Sequence, residues 1–208
     1  TKMMKHILSL AALLLAIIPC KAQTFTEWHD AELNEINRAP IHSSFKIFDN
    51  EELASLGYRD RNSYTLSLNG VWDFHFAKNA DERAVGFYAL DYDASSWGKI
   101  KVPAVWEREG YADPLYVNAA HAWRGHWEDN PPQVPNEQNH VGSYRREMDS
   151  PSEWLSRDIF LNIGGAYSNV YVWVNGKFVG YSEDSRLAAR FDITKYVKAG
   201  KNLVALQV

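Results

Sequence analysis

A run of polar residues, Ser182–Arg186, follows directly on an apolar hairpin sequence and contains side chains suited to chemistry. Glu183 and Asp184 contribute two carboxylates, and Arg186 contributes a guanidinium group. Such a run can bind a ligand, or it can fix the path of the chain through hydrogen bonds and an ion pair. We interpret Asp184, Ser185 and Arg186 as structural residues that fix the exit from the hairpin.

Other residue patterns with known chemistry are missing from the sequence. His121 and His126 stand five apart in "HAWRGHW", a spacing more typical of packing in a loop than of metal binding. No glycine-rich phosphate loop is present, and no cysteine or histidine cluster has zinc-site spacing. The formal net charge of −4 and the lack of a Lys/Arg run argue against nucleic acid as a partner.

Asn118, in the motif "DPLYVN", carries a side chain that can donate and accept hydrogen bonds at once. A carboxamide of this kind can recognise a hydroxyl group in either orientation. Taken alone, however, the position favours a loop asparagine that bonds its own backbone.

The first 22 residues have the organisation of an export signal. Lys2 and Lys5 precede an apolar run from Ile7 to Ile18, and a small residue, Ala22, precedes a plausible cleavage point. The run is shorter than the roughly 18 residues of a spanning helix, so we expect a secreted or periplasmic protein with no membrane segment after cleavage. The only cysteine lies inside this signal, so the mature chain must be stabilised by its core.

The rest of the sequence divides into an arm and a strand-rich domain. Residues 23–60 are predicted to form an extended arm with one short helix at 50–58, capped by Asn50. From residue 61 to 208 the hydrophobic pattern changes to the alternation of half-buried strands, with turn residues between them. Strands are predicted at 70–76, 99–106, 141–148, 157–166, 170–174, 177–181 and 199–208. Pro103 is predicted to stop the second of them.

Asn175-Gly176 predicts a tight hairpin, because this pair favours the type I′ turn in which both central residues have positive φ. Trp173 and Phe178 are its expected anchors in the core. Many short strands without a long amphipathic helix predict an all-β fold, an antiparallel β-sandwich. One long insertion, residues 107–140, is rich in proline and aromatic residues and is expected to be an ordered, packed loop.

Six motifs in the same order resemble the N-terminal sugar-binding domain of glycoside hydrolase family 2, and most closely its long β-galactosidases. The resemblance runs from about Glu27 to the last residue, and it implies a jelly-roll (galactose-binding-like) sandwich. The Pro-rich loop and "GYSEDSR" favour the β-galactosidase subgroup. The motifs are "SLNGVWDFHF", "SSWGKIKVPAVWE", "DPLYVN", "NPPQVPNEQNHVGSYRR", "VWVNGKFVGYSEDSRLAARFDIT" and "AGKNLVALQV".

The resemblance implies a retaining hydrolase of terminal β-galactosides with two catalytic glutamates about 5 Å apart. In the family both glutamates lie in a later barrel domain, so we expect no catalytic residue in this chain. The sequence stops at Val208 on an apolar strand, and we interpret it as a truncated domain.

Site residues are implied by the same resemblance. Asn118 is the position that reaches the galactose in the barrel's active site. Glu27, Asp30 and the backbone of Leu33 in the arm, with Glu183 after the hairpin, correspond to outer ligands of a Mg²⁺ site. Carboxylate and carbonyl oxygens suit this cation, although solvated surface charges remain the alternative interpretation.

Two other functions fit parts of the pattern. The chain could be a non-catalytic carbohydrate-binding module of the same shape, which would need an exposed aromatic platform. It could also belong to a family 2 hydrolase with another sugar preference, such as a β-glucuronidase or β-mannosidase, since a fold does not fix the substrate. The resemblance further implies partner domains in the same chain and a possible homo-oligomer.

Overall fold

Antiparallel strands dominate the computed structural model, which describes residues 25–56, 63–114, 132–136 and 138–208. Nine strands lie in these ranges, and every pairing between them is antiparallel, which confirms the predicted all-β fold. The strands are β1 (Glu35–Ile36), β2 (Gly70–Ala77), β3 (Gly98–Val102), β4 (Val141–Ser150), β5 (Phe160–Ile163), β6 (Val170–Val174), β7 (Lys177–Ser182), β8 (Ala189–Asp192) and β9 (Gly200–Gln207).

Seven of the strands form one sheet in the order β1-β7-β6-β9-β4-β2-β3, and β5 pairs with β8 in a second sheet. The main core lies between them. In β2, Trp72 and Phe74 are buried while Val71 is 62% exposed, as the alternation predicted. The central strands contribute valines, and Phe191 of β8 closes the core from the small sheet with no exposed surface.

A second aromatic cluster covers the outer face of the large sheet. Trp173 of β6 is 1% exposed, and its ring stacks on Tyr88 at 4.9 Å between centroids. The segment that carries Tyr88 is held by Arg145 of β4, whose guanidinium donates to the carbonyl oxygens of Phe87 and Ala89. The large sheet is therefore covered on its outer face at β6, β7 and β9.

The β6–β7 hairpin turns at Asn175 and Gly176, whose φ values of 51° and 78° confirm the predicted tight turn. The register then shifts: Trp173 faces Phe178, but Val172 faces Gly180. One extra residue of β7 is thus accommodated as a β-bulge, with Val179 and Gly180 together opposite Val172.

Short helical elements connect the strands. The only α-helix of the described ranges, α1 (Glu51–Ser55), begins after Asn50, whose side chain accepts a hydrogen bond from the Leu53 N–H at 2.9 Å, as predicted. No helix in these ranges is long and apolar enough to cross a membrane. Turns of 3₁₀-helix lie at Glu27–His29, Ala80–Glu82, Trp106–Glu109, Ser152–Ser156 and Thr194–Tyr196.

One predicted strand is shorter in the structure, and another ends where the sequence predicted. The strand expected at 157–166 is reduced to β5, because the 3₁₀ turn at Ser152–Ser156 precedes it and Gly164-Gly165 follows it. The strand in 99–106 ends at Val102, directly before Pro103, which confirms the predicted stop, because proline cannot donate to the ladder.

The arm adds a strand to the sandwich instead of remaining separate from it. β1 pairs with β7 at the edge of the large sheet. Asn37 then takes a left-handed φ of 55°, after which Arg38 forms a β-bridge with Phe191 of the small sheet. The N–H of Ala39 donates to the Arg190 carbonyl oxygen at 2.7 Å. The arm therefore crosses from one sheet to the other.

Candidate functional site

Two buried tyrosines stand opposite each other on the outer face of the hairpin. Tyr171 of β6 and Tyr181 of β7 are partners in the strand register, with ring centroids 4.5 Å apart. Their exposed fractions are 3% and 0%. They face each other because the β-bulge shifts the register of the hairpin by one residue.

Each tyrosine donates a hydrogen bond to one of the carboxylates that the sequence singled out. The Tyr171 hydroxyl donates to Glu27 Oε2 at 2.9 Å, and the Tyr181 hydroxyl donates to Glu183 Oε1 at 2.6 Å. The tyrosine pair therefore brings together an arm residue and a hairpin residue that are far apart in sequence.

The raised pKa values of the two tyrosines determine which group is the donor in these hydrogen bonds. Burial raises the pKa of Tyr171, and the charge of Glu27 raises it further. Burial likewise raises the pKa of Tyr181, with the hydrogen bond to Glu183 as the next cause. Both phenols remain protonated at neutral pH, so they are permanent donors to the carboxylates.

The other two predicted arm ligands lie in the turn that follows Glu27. Asp30 is exposed and its Oδ1 accepts the Glu32 N–H at 3.1 Å, while its carbonyl oxygen accepts the Leu33 N–H at 3.0 Å. The arm continues to the hairpin, where the Asn34 carbonyl oxygen accepts the N–H of Glu183 at 3.1 Å.

The donor set fits a hard cation in chemical type, because a carboxylate oxygen that accepts one hydrogen bond retains further lone pairs. Within the described ranges, however, no group of three or more histidine, cysteine, aspartate or glutamate side chains comes together. Glu27 and Glu183 could therefore supply part of a ligand set, and the remaining ligands would have to come from elsewhere in the protein.

A small open cleft of about 30 Å³ lies beside Phe25 and Trp28 of the arm, at one end of the sandwich. Tyr171 forms one wall, so the cleft adjoins the tyrosine pair. Its other lining residues come from the arm, the segment after β2, the start of β4 and the end of β9. They include Phe25, Trp28, Arg83, His140, Gln207 and Val208.

The predicted loop at 107–140 has both of its ends packed on Phe76 of β2. The ring centroids of Tyr111 and His140 lie 5.9 Å and 5.1 Å from that of Phe76. Burial lowers the pKa of His140. The loop thus begins and ends at one end of the sandwich, close to the cleft. Asn118, together with His121 and His126, lies outside the described residues.

The polar run after the hairpin has the structural role expected of its second half. Asp184 Oδ1 accepts the N–H groups of Arg186 and Leu187 at 3.0 and 3.1 Å, and these bonds lower the pKa of Asp184. The expected ion pair is not formed between Asp184 or Arg186 and any other residue in the described part of the chain.

The sequence interpretation missed the tyrosine pair that holds the two glutamates. Tyr171 and Tyr181 flank an Asn-Gly turn, which is a usable signal for a cross-strand pair. A simple hairpin count, however, places Tyr171 opposite Gly180, and only the β-bulge corrects it.

A family model and two similar proteins point to the same family. Residues 65–208 match the family model described as "Glycosyl hydrolases family 2, sugar binding domain". The chain is 39% identical over 188 residues to a protein named beta-galactosidase from Priestia megaterium and 38% identical over 189 residues to one from Halalkalibacterium halodurans. Each match covers 90% of this chain but 18% of the relative, so the chain spans less than a fifth of the length of these relatives.

Among solved structures, the chain resembles the β-glucuronidase of Bifidobacterium dentium, complexed with coumarin-3-O-glucuronide, with a TM-score of 0.51. The two share 21% identity over 73% of this chain and 21% of that chain. This likeness supports the sandwich fold alone.

Proposed function

Because the chain belongs to the family of glycosyl hydrolase family 2 sugar-binding domains, we propose that it is the N-terminal domain of a retaining β-galactosidase acting on terminal β-D-galactosides. The observation that carries this proposal is the identity of 38 to 39% to two β-galactosidases over 90% of the chain. These matches are longer than the region of the family model, so they include residues before position 65. A β-glucuronidase has less support, because only a likeness in fold favours it.

The length of the relatives indicates which part of the polypeptide carries the catalytic residues. A retaining glycosidase needs an acid/base and a nucleophile on two carboxylic acids. We assign both to the part of the polypeptide outside this chain, since the chain covers 18% of each relative. The domain described here then contributes the scaffold, the arm and the loop at 107–140.

The test compares the full-length polypeptide with the isolated chain on aryl β-D-galactoside, β-D-glucuronide and β-D-mannoside. We expect the full-length protein to hydrolyse the galactoside with the highest kcat/KM and the isolated chain to hydrolyse none of the three. A preference for another glycoside would contradict the assigned specificity. Turnover by the purified isolated chain would contradict the division of labour.

Asn118 is proposed as the residue through which this domain contacts the sugar. The support is its place in "DPLYVN", inside a loop whose two ends both pack on Phe76. Asn118→Ala in the full-length enzyme should lower kcat/KM by an amount equivalent to about 1–3 kcal/mol, because a buried polar partner is left unpaired. The matched control is Asn69→Ala, at an exposed loop asparagine. Equal kcat/KM for both variants would remove Asn118 from the site.

Glu27 and Glu183 are proposed as outer ligands of a Mg²⁺ site, with Asp30 and the backbone of Leu33 nearby. Their shared contact with the tyrosine pair supports this assignment. When bound, the cation would supply positive charge between the arm and the hairpin. Glu27→Gln should raise the Mg²⁺ concentration needed for half of the thermal stabilisation of the full-length protein, and Glu32→Gln should not. An unchanged Mg²⁺ titration in Glu27→Gln would refute the assignment.

Export of the protein is proposed from residues 1–22 alone, with cleavage after Ala22. N-terminal sequencing of the protein from the periplasm or medium should begin at Gln23. Recovery of the intact N-terminus in the cytoplasm would contradict this proposal.

A further inference from the structure

We propose that Gly180 is a positioning residue whose missing side chain lets the arm cross between the two sheets and thereby sets Glu27 beside Glu183. The inference rests on the proposed function only where it treats these glutamates as functional. The crossing itself is defined by contacts between the arm and the sandwich.

The β-bulge places Gly180 against the backbone of Ile36 and the ring of Phe191. A Cβ added there would lie well inside 3.0 Å of the Ile36 carbonyl oxygen and 2.7 Å from Phe191 Cε1. Real Cβ atoms do not approach other heavy atoms this closely, so one neighbour would have to move.

The two neighbours differ in how easily they can move. Phe191 is fully buried in the main core, where close packing resists displacement. Ile36 belongs to β1, which has only two residues and forms the outermost strand of the sheet. A side chain at position 180 would therefore displace the arm rather than the core.

The contacts of the crossing are concentrated around Gly180. On the large sheet, the Asn37 side-chain amide donates to the Val179 carbonyl oxygen at 2.9 Å, and Arg38 donates to Ser182 Oγ at 3.2 Å. On the small sheet, the Ala39 N–H reaches Arg190. Displacement of the arm at Gly180 would disturb both sets of contacts.

Glu27 lies between two points of attachment of the arm. The first is Phe25, whose ring contacts Tyr171 and Trp173 at 5.8 and 5.1 Å between centroids. The second is the crossing at residues 35–39. Between them, the Asp30 N–H donates to the Glu27 carbonyl oxygen at 2.9 Å. Loss of the crossing leaves this turn held from one side only.

Hydrogen exchange on the full-length polypeptide tests the inference with Gly180→Ala and a matched glycine control. Gly164→Ala is the control, since no atom lies within 4 Å of its added Cβ and its φ is not in the left-handed region. In Gly180→Ala we expect the amides of Ala39 and Asp30 to exchange about fivefold faster or more. The amides of β4 and β9 and the whole Gly164→Ala profile should match the wild type.

If Gly180→Ala does not fold, a second pair of variants tests the same inference. These variants change a residue of the arm and leave the sandwich intact. Asn37→Ala removes the hydrogen bond to Val179 and strains the left-handed backbone, whereas Asn37→Gly removes only the hydrogen bond. We expect faster exchange of the same two amides in Asn37→Ala and partial rescue in Asn37→Gly.

Two results would overturn the inference. One is protection of the arm amides at the wild-type level in Gly180→Ala and Asn37→Ala. The other is equal acceleration in the arm and in β4, which would mean that Gly180 serves the sandwich as a whole. Exchange is measured without substrate, so failure of the proposed β-galactosidase activity would leave this result standing and is distinguishable from it.

Discussion

The two edges of the seven-stranded sheet are closed in different ways. At one edge, β3 has two exposed lysines, Lys99 and Lys101, and no further strand among the described residues pairs with it. At the other edge, β7 is covered by β1 from the arm. Open strand edges invite pairing with other chains, and charged side chains or a covering segment are the usual protections.

The difference shows what each protection requires. Lysines on an edge strand act locally and need no partner from elsewhere in the chain. A covering segment needs a matching surface, here Gly180 and the aromatic cluster around Trp173, but it can bring residues to a defined place. The two glutamates held by tyrosines lie at the covered edge, so that edge is the one suited to a site.

The largest expected effect is on the covered edge, from Phe25→Ala. Phe25 packs against four aromatic rings, including those of Trp173 and Tyr171, so its loss should reduce the free energy of unfolding by about 2–3 kcal/mol. Urea denaturation followed by tryptophan fluorescence gives this value. Val85→Ala, at a side chain that is 78% exposed, should change it by less than about 0.5 kcal/mol. Equal effects of the two variants would mean that the arm is not anchored by Phe25.

Tyr181→Phe removes a hydrogen bond to a carboxylate on the same edge and should cost about 1.5–3 kcal/mol. Its pH dependence has a definite sign. Because the pKa of Tyr181 is raised above its ordinary value of 10.0, its contribution is complete below that pH and is lost as the pH rises above it.

The measurement for Tyr181 is urea denaturation at several pH values between about 9 and 11, one unit either side of the ordinary tyrosine pKa. Tyr181→Phe should flatten the fall in stability, and Tyr167→Phe, at a 74% exposed side chain, should follow the wild type. A slope unchanged by Tyr181→Phe would show that Tyr181 ionises equally in the folded and unfolded states.

Substitutions at the uncovered edge should change the self-association of the protein more than its free energy of unfolding. Lys99→Val with Lys101→Val removes one exposed ion pair, Lys99 to Asp73, worth at most about 1 kcal/mol. It also leaves an apolar open edge, so sedimentation velocity should detect concentration-dependent dimers. Lys201→Val adds a similar apolar residue in β9, which lies inside the sheet between β6 and β4, so the association state of this variant should remain unchanged. Association of the Lys201 variant to the same degree would attribute the effect to hydrophobicity alone.

The smallest effect is expected at the end of the covered edge, from Asp184→Asn. Backbone N–H groups hold the pKa of Asp184 below its ordinary value of 3.8, so its contribution is present above that pH and is lost as the pH falls below it. Asparagine keeps the acceptor but does not titrate, so the variant should show a shallower loss of stability in acid. An identical acid profile, measured by urea denaturation, would contradict this role.

The features that sequence predicted well are those with local causes. Asn175-Gly176 forms the expected turn because few other pairs tolerate two left-handed residues in succession. β2 was predicted from its alternation, since one of its faces is buried and the other is not. The cap at Asn50 likewise depends only on the residues that follow it.

The features that sequence did not predict depend on contacts between distant segments. β1 has two residues and β8 has four, too few for a periodic signal. In the sequence, Gly180 resembles any small residue of a strand. Its close contact with the Ile36 backbone is evident only in the structure. For the site, the resemblance named Glu27 and Glu183, but the tyrosines that hold them depend on a register that the turn alone does not specify.

The extra residue in β7 also determines which of the side chains that follow it in the strand point into the core. Residues of a strand alternate between faces, so an odd insertion reverses the parity of every residue that follows. Without the extra residue, Tyr181 would point into the core, and its hydroxyl would lose its hydrogen bond to a carboxylate. Natural variants that delete one residue at 179 or 180 should therefore be rare among proteins that keep this pair of acids, and insertions or deletions of two should be better tolerated.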